Sequence, residues 1–311
     1  MTDDLHLDLA ALTAIGVDEA TIAERRRLDG DRALVFLSGL PELVAQWQDS
    51  LGLSEARLLP GGVLSAAFVC RSGGEEVVLK LSAPYATSAR AEAAALAAWE
   101  GCGACRLRFA TEDGRVLLLD AIRPGAEPQP RSEPDDARRA AELLHRLHLS
   151  PPFPVAVPEA SAELRWRFQR ARQLLDGPSP ARGVISPQDI ESAYHRALGL
   201  CAESPVAVLC HGDFLDKNIL VDGEGRWWAI DPHPCRGDPC LDAAFWALAH
   251  RGGQGAAERG SVIAAATALD VARVQDWMRV FAVSESVLAR DAERSVAYRA
   301  VLGERTSRSM R

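Results

Sequence analysis

The apolar residues change their spacing part-way along this sequence, and that change restricts the fold more than any other feature does. Up to Leu119, short strand-like runs come in pairs. Residues 66–70 and 76–81 are separated by Ser72-Gly73-Gly74, and residues 106–110 and 115–119 flank Asp113-Gly114. Glycine turns between such runs predict β-hairpins. Between the two pairs, residues 87–99 are rich in alanine with apolar spacing suited to a helix. Ahead of them, residues 18–28 and 31–49 read as helices. Gly39-Leu40-Pro41 interrupts the second and should break or kink it.

Past Leu119 the texture is different. Residues 122–134 are rich in proline, glycine and charge, as expected of a linker and a surface loop. Helical spacing follows over 135–148, 162–175, 187–201, 241–250, 258–268 and 271–289. One island, 206–231, breaks this run: strands at 219–221 and 227–230 flank Asp222-Gly223-Glu224-Gly225, a turn signal. The expected class is α+β with two lobes. Residues 1–120 form a β-rich lobe with leading helices, and 121–311 form a mainly helical lobe carrying the hairpin insert.

Composition excludes several functions. The 311-residue chain has no apolar run of membrane-spanning length and no basic-then-apolar start, so a cytoplasmic protein is expected. A formal net charge of −8 argues against a nucleic-acid partner and is compatible with a cationic ligand. Seven scattered cysteines make a poor disulfide framework. Cys102 and Cys105 form a CxxC, but no second such pair supports zinc, and buried single thiols are the plainer reading. Only Lys80 and Lys217 are lysines; every other basic side chain of this type is arginine. A site that keeps lysine against that bias suggests a need for a compact ammonium.

The island reads V-L-C-H-G-D-F-L-D-K-N-I-L-V and, after the turn, W-W-A-I-D-P. Phosphoryl transfer needs a carboxylate at the attacking hydroxyl and hard oxygen ligands for a divalent cation on the phosphates. Asp213 supplies a carboxylate at a strand-to-loop junction. Asn218 and Asp231 stand at the two open ends of the hairpin, where they would converge on one metal-phosphate cluster.

These residues carry a resemblance. His211-Gly212-Asp213, with Asn218 five residues after the aspartate, resembles the HGDxxxxN catalytic loop of the aminoglycoside phosphotransferases, a relative of the protein-kinase HRDxxxxN loop. Val77–Leu81 resembles the strand whose lysine, here Lys80, grips the α- and β-phosphates. Glu92 matches that lysine's acidic partner, and the segment 118–121, with Asp120, resembles the hinge whose backbone meets adenine. L-L-H-R-L-H at 143–148 resembles the helix before the catalytic region, and Asp242 the aspartate that braces the catalytic loop. I-D-P at 230–232, S-G-L-P at 38–41 and E-A-A-A-L-x-x-W at 92–99 resemble the streptomycin 6-phosphotransferase and hydroxyurea phosphotransferase branch.

The resemblance implies a protein-kinase-like two-lobed fold, ATP and Mg2+ as cofactors, and a small hydroxylated acceptor, streptomycin-like or else hydroxyurea or a metabolic hydroxyl compound. It implies Asp213 as catalytic base or acceptor positioner, Asn218 and Asp231 as magnesium ligands, and Lys80, with Glu92, on the nucleotide phosphates. A catalytically silent kinase-like binding module is the alternative from another class. The phosphate-covering segment 60–65 is poor in glycine beside a kinase GxGxxG, with Ser65 or its backbone as the candidate phosphate contact. Lys217 could steady the transferred phosphate or be an ordinary surface lysine. Glu285 and Asp291 could meet a cationic acceptor, but helix charges are ordinarily solvated. Taken singly, Lys80 could be a strand-edge charge and Asp242 a plain helix-start residue.

Overall fold

The computed structural model describes residues 7–62, 64–129, 133–149, 152–177, 179–251, 255–289 and 292–303. The chain divides into two compact units, one of residues 1–101 and 105–121, the other of 102–104 and 122–311.

The first unit opens with three helices, α1 (Leu9–Ala14), α2 (Glu19–Asp29) and α3 (Asp31–Leu51). The Asp18 side chain caps α2 by accepting the Thr21 N–H at 2.8 Å. A five-stranded antiparallel sheet follows: β1 (Ser54–Leu58), β2 (Ser65–Ser72), β3 (Glu75–Ser82), β4 (Leu107–Ala110) and β5 (Val116–Asp120), in the spatial order β1-β2-β3-β5-β4. Helix α4 (Ala89–Trp99) lies between β3 and β4 in sequence. The β2–β3 hairpin closes between Ser72 and Glu75 through Gly73 and Gly74, both at positive φ, the backbone that a tight hairpin turn demands. Phe36, Leu37, Leu40 and Val44 of α3 join Phe68, Leu79 and Leu81 of the sheet in one core.

Of the expected break or kink at Gly39-Leu40-Pro41, the break does not occur, and that core explains why: α3 runs from Asp31 to Leu51 as one helix with Pro41 inside it. An interior proline costs about 3 kcal/mol. Four buried apolar side chains on the same face return about 1.5–3 kcal/mol each, which outweighs it.

The second unit holds β6 (Pro124–Ala126), α5 (Glu133–Leu147), α6 (Ala160–Leu175), α7 (Pro187–Ala202) and β7 (Val208–Cys210). A single 3-10 turn, Asp216–Asn218, leads into β8 (Ile219–Asp222), β9 (Trp227–Ala229) and β10 (Cys235–Gly237). Helices α8 (Cys240–Ala249), α9 (Ala256–Thr267), α10 (Val271–Leu288) and α11 (Ala292–Gly303) complete it. Helix α8 is buried along nearly its whole length, and Phe245 stacks on Phe281 of α10 with ring centroids 3.8 Å apart. The segment 122–134, expected as linker and loop, contributes a strand: β6 pairs with β8, so the hairpin becomes the three-stranded sheet β6-β8-β9. Its proline and glycine disguise a run too short to show alternation. A second small sheet pairs β10 with β7, placing the segment after Asp231 against the strand that enters the loop His211-Gly212-Asp213.

All seven cysteines are free thiols. Cys102 and Cys105 fall in different units, and among the described residues no group of three or more His, Cys, Asp or Glu side chains could hold a metal. No helix of the described residues is long and apolar enough to cross a membrane.

Candidate active site

Two strands and one helix start shape the loop His211-Gly212-Asp213 at the end of β7. Asp242, in the first turn of α8, is fully buried. Its Oδ2 accepts the His211 N–H at 2.8 Å and its Oδ1 accepts the Gly212 N–H at 2.9 Å. His148 Nε2 lies 3.0 Å from the same Oδ2. One carboxylate thus satisfies two buried backbone donors that no strand serves. Gly212 sits at φ +76°, and a Cβ there would run into the carbonyl oxygen of His233. Only glycine meets both conditions. The His211 ring is held between the Ile230 carbonyl, 3.0 Å from Nε2, and the Asp213 N–H, which donates to Nδ1 at 3.3 Å. Burial holds its pKa below the usual histidine value, which keeps the imidazole neutral.

Asp213 therefore projects from a braced loop, and its two carboxylate oxygens are held differently. Oδ1 accepts from Arg167 Nη2 at 3.2 Å. Oδ2 accepts from Asn218 Nδ2 at 2.8 Å and lies 3.2 Å from Lys217 Nζ. Burial alone would push its pKa up, but Lys217 and then Arg167 outweigh burial and hold it well below the usual carboxylate range. Arg167 comes from α6, is itself buried, and bonds Glu285 Oε1 of α10 at 2.5 Å and the Gly212 carbonyl at 3.3 Å. Its guanidinium also lies over the Phe245 ring, 4.6 Å from the centroid. Burial, and less strongly the nearby Asp213 charge, raises the Glu285 pKa, with Arg167 pulling it back.

The backbone brings Asn218 and the residue before Asp231 together at the open end of the hairpin, where the Ile230 N–H donates to the Asn218 carbonyl at 2.9 Å. Asp231 follows directly, at φ +53°. The amide nitrogen of Asn218 is committed to Asp213, donating also to its carbonyl oxygen at 2.8 Å, so a metal would be taken by Oδ1. An amide oxygen beside a carboxylate is a hard two-oxygen set of the kind that binds magnesium together with phosphates and water. The residues fit that ion. Two residues on, burial opposes protonation of His233, but the Glu163 carboxylate, 3.4 Å from its Nδ1, and the Asp213 charge outweigh burial and raise its pKa.

In the first unit, Lys80 lies on β3, flanked by β2 and β5, and not at a sheet edge. Its Nζ meets Glu92 Oε1 of α4 at 2.5 Å with both side chains buried. Ser65 begins β2 and pairs with Ser82, two residues along β3 from Lys80. Its carbonyl accepts from buried Arg25 at 2.8 Å. Val63, in the same expected phosphate segment, lies outside the described residues. Asp120 ends β5, where its N–H donates to the Arg106 carbonyl at 2.9 Å and its carboxylate pairs with Arg108.

Arg167 was not expected, and Glu285 was expected in solvent; it is 7% exposed and paired. Asp291 lies outside the described residues. A usable signal was present for Arg167. It falls on the stripe Leu164, Arg167, Phe168, Ala171 and Leu175, the buried face of α6.

The model of the aminoglycoside/hydroxyurea antibiotic resistance kinase family matches residues 53–293. The chain is 29% identical over 234 residues to streptomycin 6-kinase of Streptomyces griseus, covering 73% of each protein. It is 33% identical over 221 residues to hydroxyurea phosphotransferase of Kitasatospora aureofaciens, covering 68% of this chain and 62% of that protein. Among solved structures it resembles choline kinase LicA of Streptococcus pneumoniae at a TM-score of 0.62 and 12% identity, over 87% of this chain and 100% of that one, a likeness of fold. A match over so much of the chain settles kinship: this protein belongs to the aminoglycoside/hydroxyurea antibiotic resistance kinase family.

Proposed function

We propose that this protein transfers the γ-phosphoryl group of ATP to a hydroxyl of a small molecule, a streptomycin-like aminocyclitol first of all. What carries the reading is the setting of Asp213: a buried carboxylate, kept ionised by two cations, on a loop pinned through Asp242. A carboxylate so poised is a weak base, so its role is to accept the hydrogen bond of the incoming hydroxyl and aim the oxygen. In a loose transition state the hydroxyl proton becomes acidic only late, when a weak base suffices. Asn218 Oδ1 and the Asp231 carboxylate are assigned to magnesium. When bound, that ion would draw charge from the phosphate oxygens. Lys80, fixed by Glu92, is assigned to the α- and β-phosphates, with Ser65 and Asp120 as further nucleotide contacts. The chain's 33% identity to a hydroxyurea phosphotransferase makes hydroxyurea the second acceptor to consider.

The test is ADP release with streptomycin, other aminocyclitols and hydroxyurea, each product checked by mass for one added phosphate. Asp213→Ala should lower turnover by at least about 10²-fold, the scale of a lost positioned acid-base group. A variant that turns over normally removes Asp213 from this role. Failure to phosphorylate any of these acceptors while Mg·ATP binds removes the proposed acceptor class.

A further inference from the structure

We propose that Lys217 is a catalytic cation whose ammonium rests on Asp213 before the substrates arrive and moves onto the transferred phosphoryl group in the transition state. This rests on the phosphotransfer reading above. The argument begins with how differently the two cations on Asp213 are held. Arg167 is fixed from behind: its guanidinium also bonds Glu285 and the Gly212 carbonyl, and its side chain is 7% exposed. Lys217 approaches the other oxygen with a side chain 45% exposed, and it borders a cavity also lined by Glu127, Gln129, Asp216 and Arg251.

The backbone around Lys217 is pinned, while its half-exposed side chain is held at its tip by Asp213. On one side, both carboxylate oxygens of Asp216 lie 3.1 Å from Nδ1 of His250, a fully buried imidazole. On the other, Asn218 donates its N–H to the Leu215 carbonyl at 2.8 Å and its amide to Asp213. The 3-10 turn therefore aims a half-exposed four-carbon stem from a hydrogen-bonded base. Residue type agrees with this. In a chain whose one other lysine is Lys80, an ammonium stands 3.2 Å from Oδ2. A guanidinium would fork across a carboxylate and be retained, whereas an ammonium can share its protons between a carboxylate and a phosphoryl oxygen.

The chemistry asks for such a group. The hydroxyl oxygen held by Asp213 forms its bond to the γ-phosphorus while the bond from that phosphorus to the β,γ-bridging oxygen breaks, and ADP leaves. The hydroxyl proton passes to Asp213 and on to solvent, and Lys217 keeps its three protons throughout. Charge spreads over the equatorial oxygens of the phosphoryl group in flight, next to the atom on which the Lys217 ammonium already sits.

The experiment compares wild type, Lys217→Met and Lys217→Arg by calorimetric binding of Mg·ADP alone and with aluminium fluoride, a planar mimic of the phosphoryl in flight. Thermal unfolding checks that each variant is folded. Lys217→Met should hold Mg·ADP within about threefold of wild type and lose at least about 10²-fold in affinity for the fluoride complex, the scale of one missing transition-state donor. Lys217→Arg should recover little of the loss, because a guanidinium forked on Asp213 is retained there. With a turned-over acceptor, kcat should fall and KM stay. Equal affinity of Lys217→Met and wild type for the fluoride complex overturns the proposal and leaves phosphotransfer standing. So does a wild type that binds Mg·ADP without any gain from aluminium fluoride. A wild type that binds no Mg·ADP overturns both.

Discussion

Arg167→Met tests whether the buried ion pair between α6 and α10 holds the His211–Asp213 loop together. The guanidinium bonds Glu285 at 2.5 Å and Asp213 at 3.2 Å, and all three side chains are buried, so solvent screens little of the interaction. Removing one partner of such a pair leaves an uncompensated charge and costs about 3–5 kcal/mol. The loss should fall mainly on Glu285, because Asp213 keeps Lys217 and Asn218. Burial already raises the Glu285 pKa above its ordinary 4.5, and without Arg167 it rises further. The sign follows from proton linkage. Between the unfolded and the raised folded pKa, the native state holds a proton that the unfolded chain has released, so stability falls as pH rises through that window. The gap between wild type and variant should therefore be wide at about pH 8 and narrower at about pH 6. Urea unfolding followed by tryptophan fluorescence measures it at both. Adding Glu285→Gln removes the stranded charge and should restore at least about 2 kcal/mol. A single variant within about 0.5 kcal/mol of wild type, or a second substitution that restores nothing, would refute the reasoning.

Two further outcomes are expected. Asp242→Asn offers one acceptor oxygen where the His211 and Gly212 N–H groups use two, so one donor loses its partner at about 1–3 kcal/mol; the melting temperature should drop, and hydrogen exchange at those two amides should speed up. Of the cysteines, Cys102 is exposed, Cys201 is half-buried, and the others are buried. Burial pushes the Cys70 thiol up to about 11 and the Cys201 thiol up to about 12. A neutral-pH thiol titration should count one fast group, which Cys102→Ser abolishes, with the rest released only by denaturant.

The parts of the fold legible in sequence were those in which local spacing and tertiary burial agree. The β2–β3 hairpin could be read because Gly73-Gly74 permits the turn that the flanking runs require. The convergence of His211, Asp213 and Asn218 could be read because the three stand close in sequence around one short loop, and the structure bonds Asn218 to Asp213. Where tertiary contacts override local preference, the reading failed. Pro41 signals a break or a kink, and the apolar face of α3 keeps the helix from breaking there. Residues 124–126 look like linker and become a strand only because β8 supplies the partner.

Arg167 and Glu285 were hidden for a different reason: each looks ordinary by itself, one more arginine in an arginine-rich helix and one more glutamate in a chain of net charge −8. Position separates them from the rest. Arg167 interrupts the apolar stripe of α6, and Glu285 is the one charge in the otherwise uncharged stretch 280–288 of α10. A charge placed where a helix must bury its face cannot remain unpaired, since desolvation alone would neutralise or expel it. Two such charges of opposite sign on helices of one unit each require a partner, and here they find each other. Pairing stranded charges in this way points to the cation behind Asp213 from sequence pattern alone, with no motif to mark it.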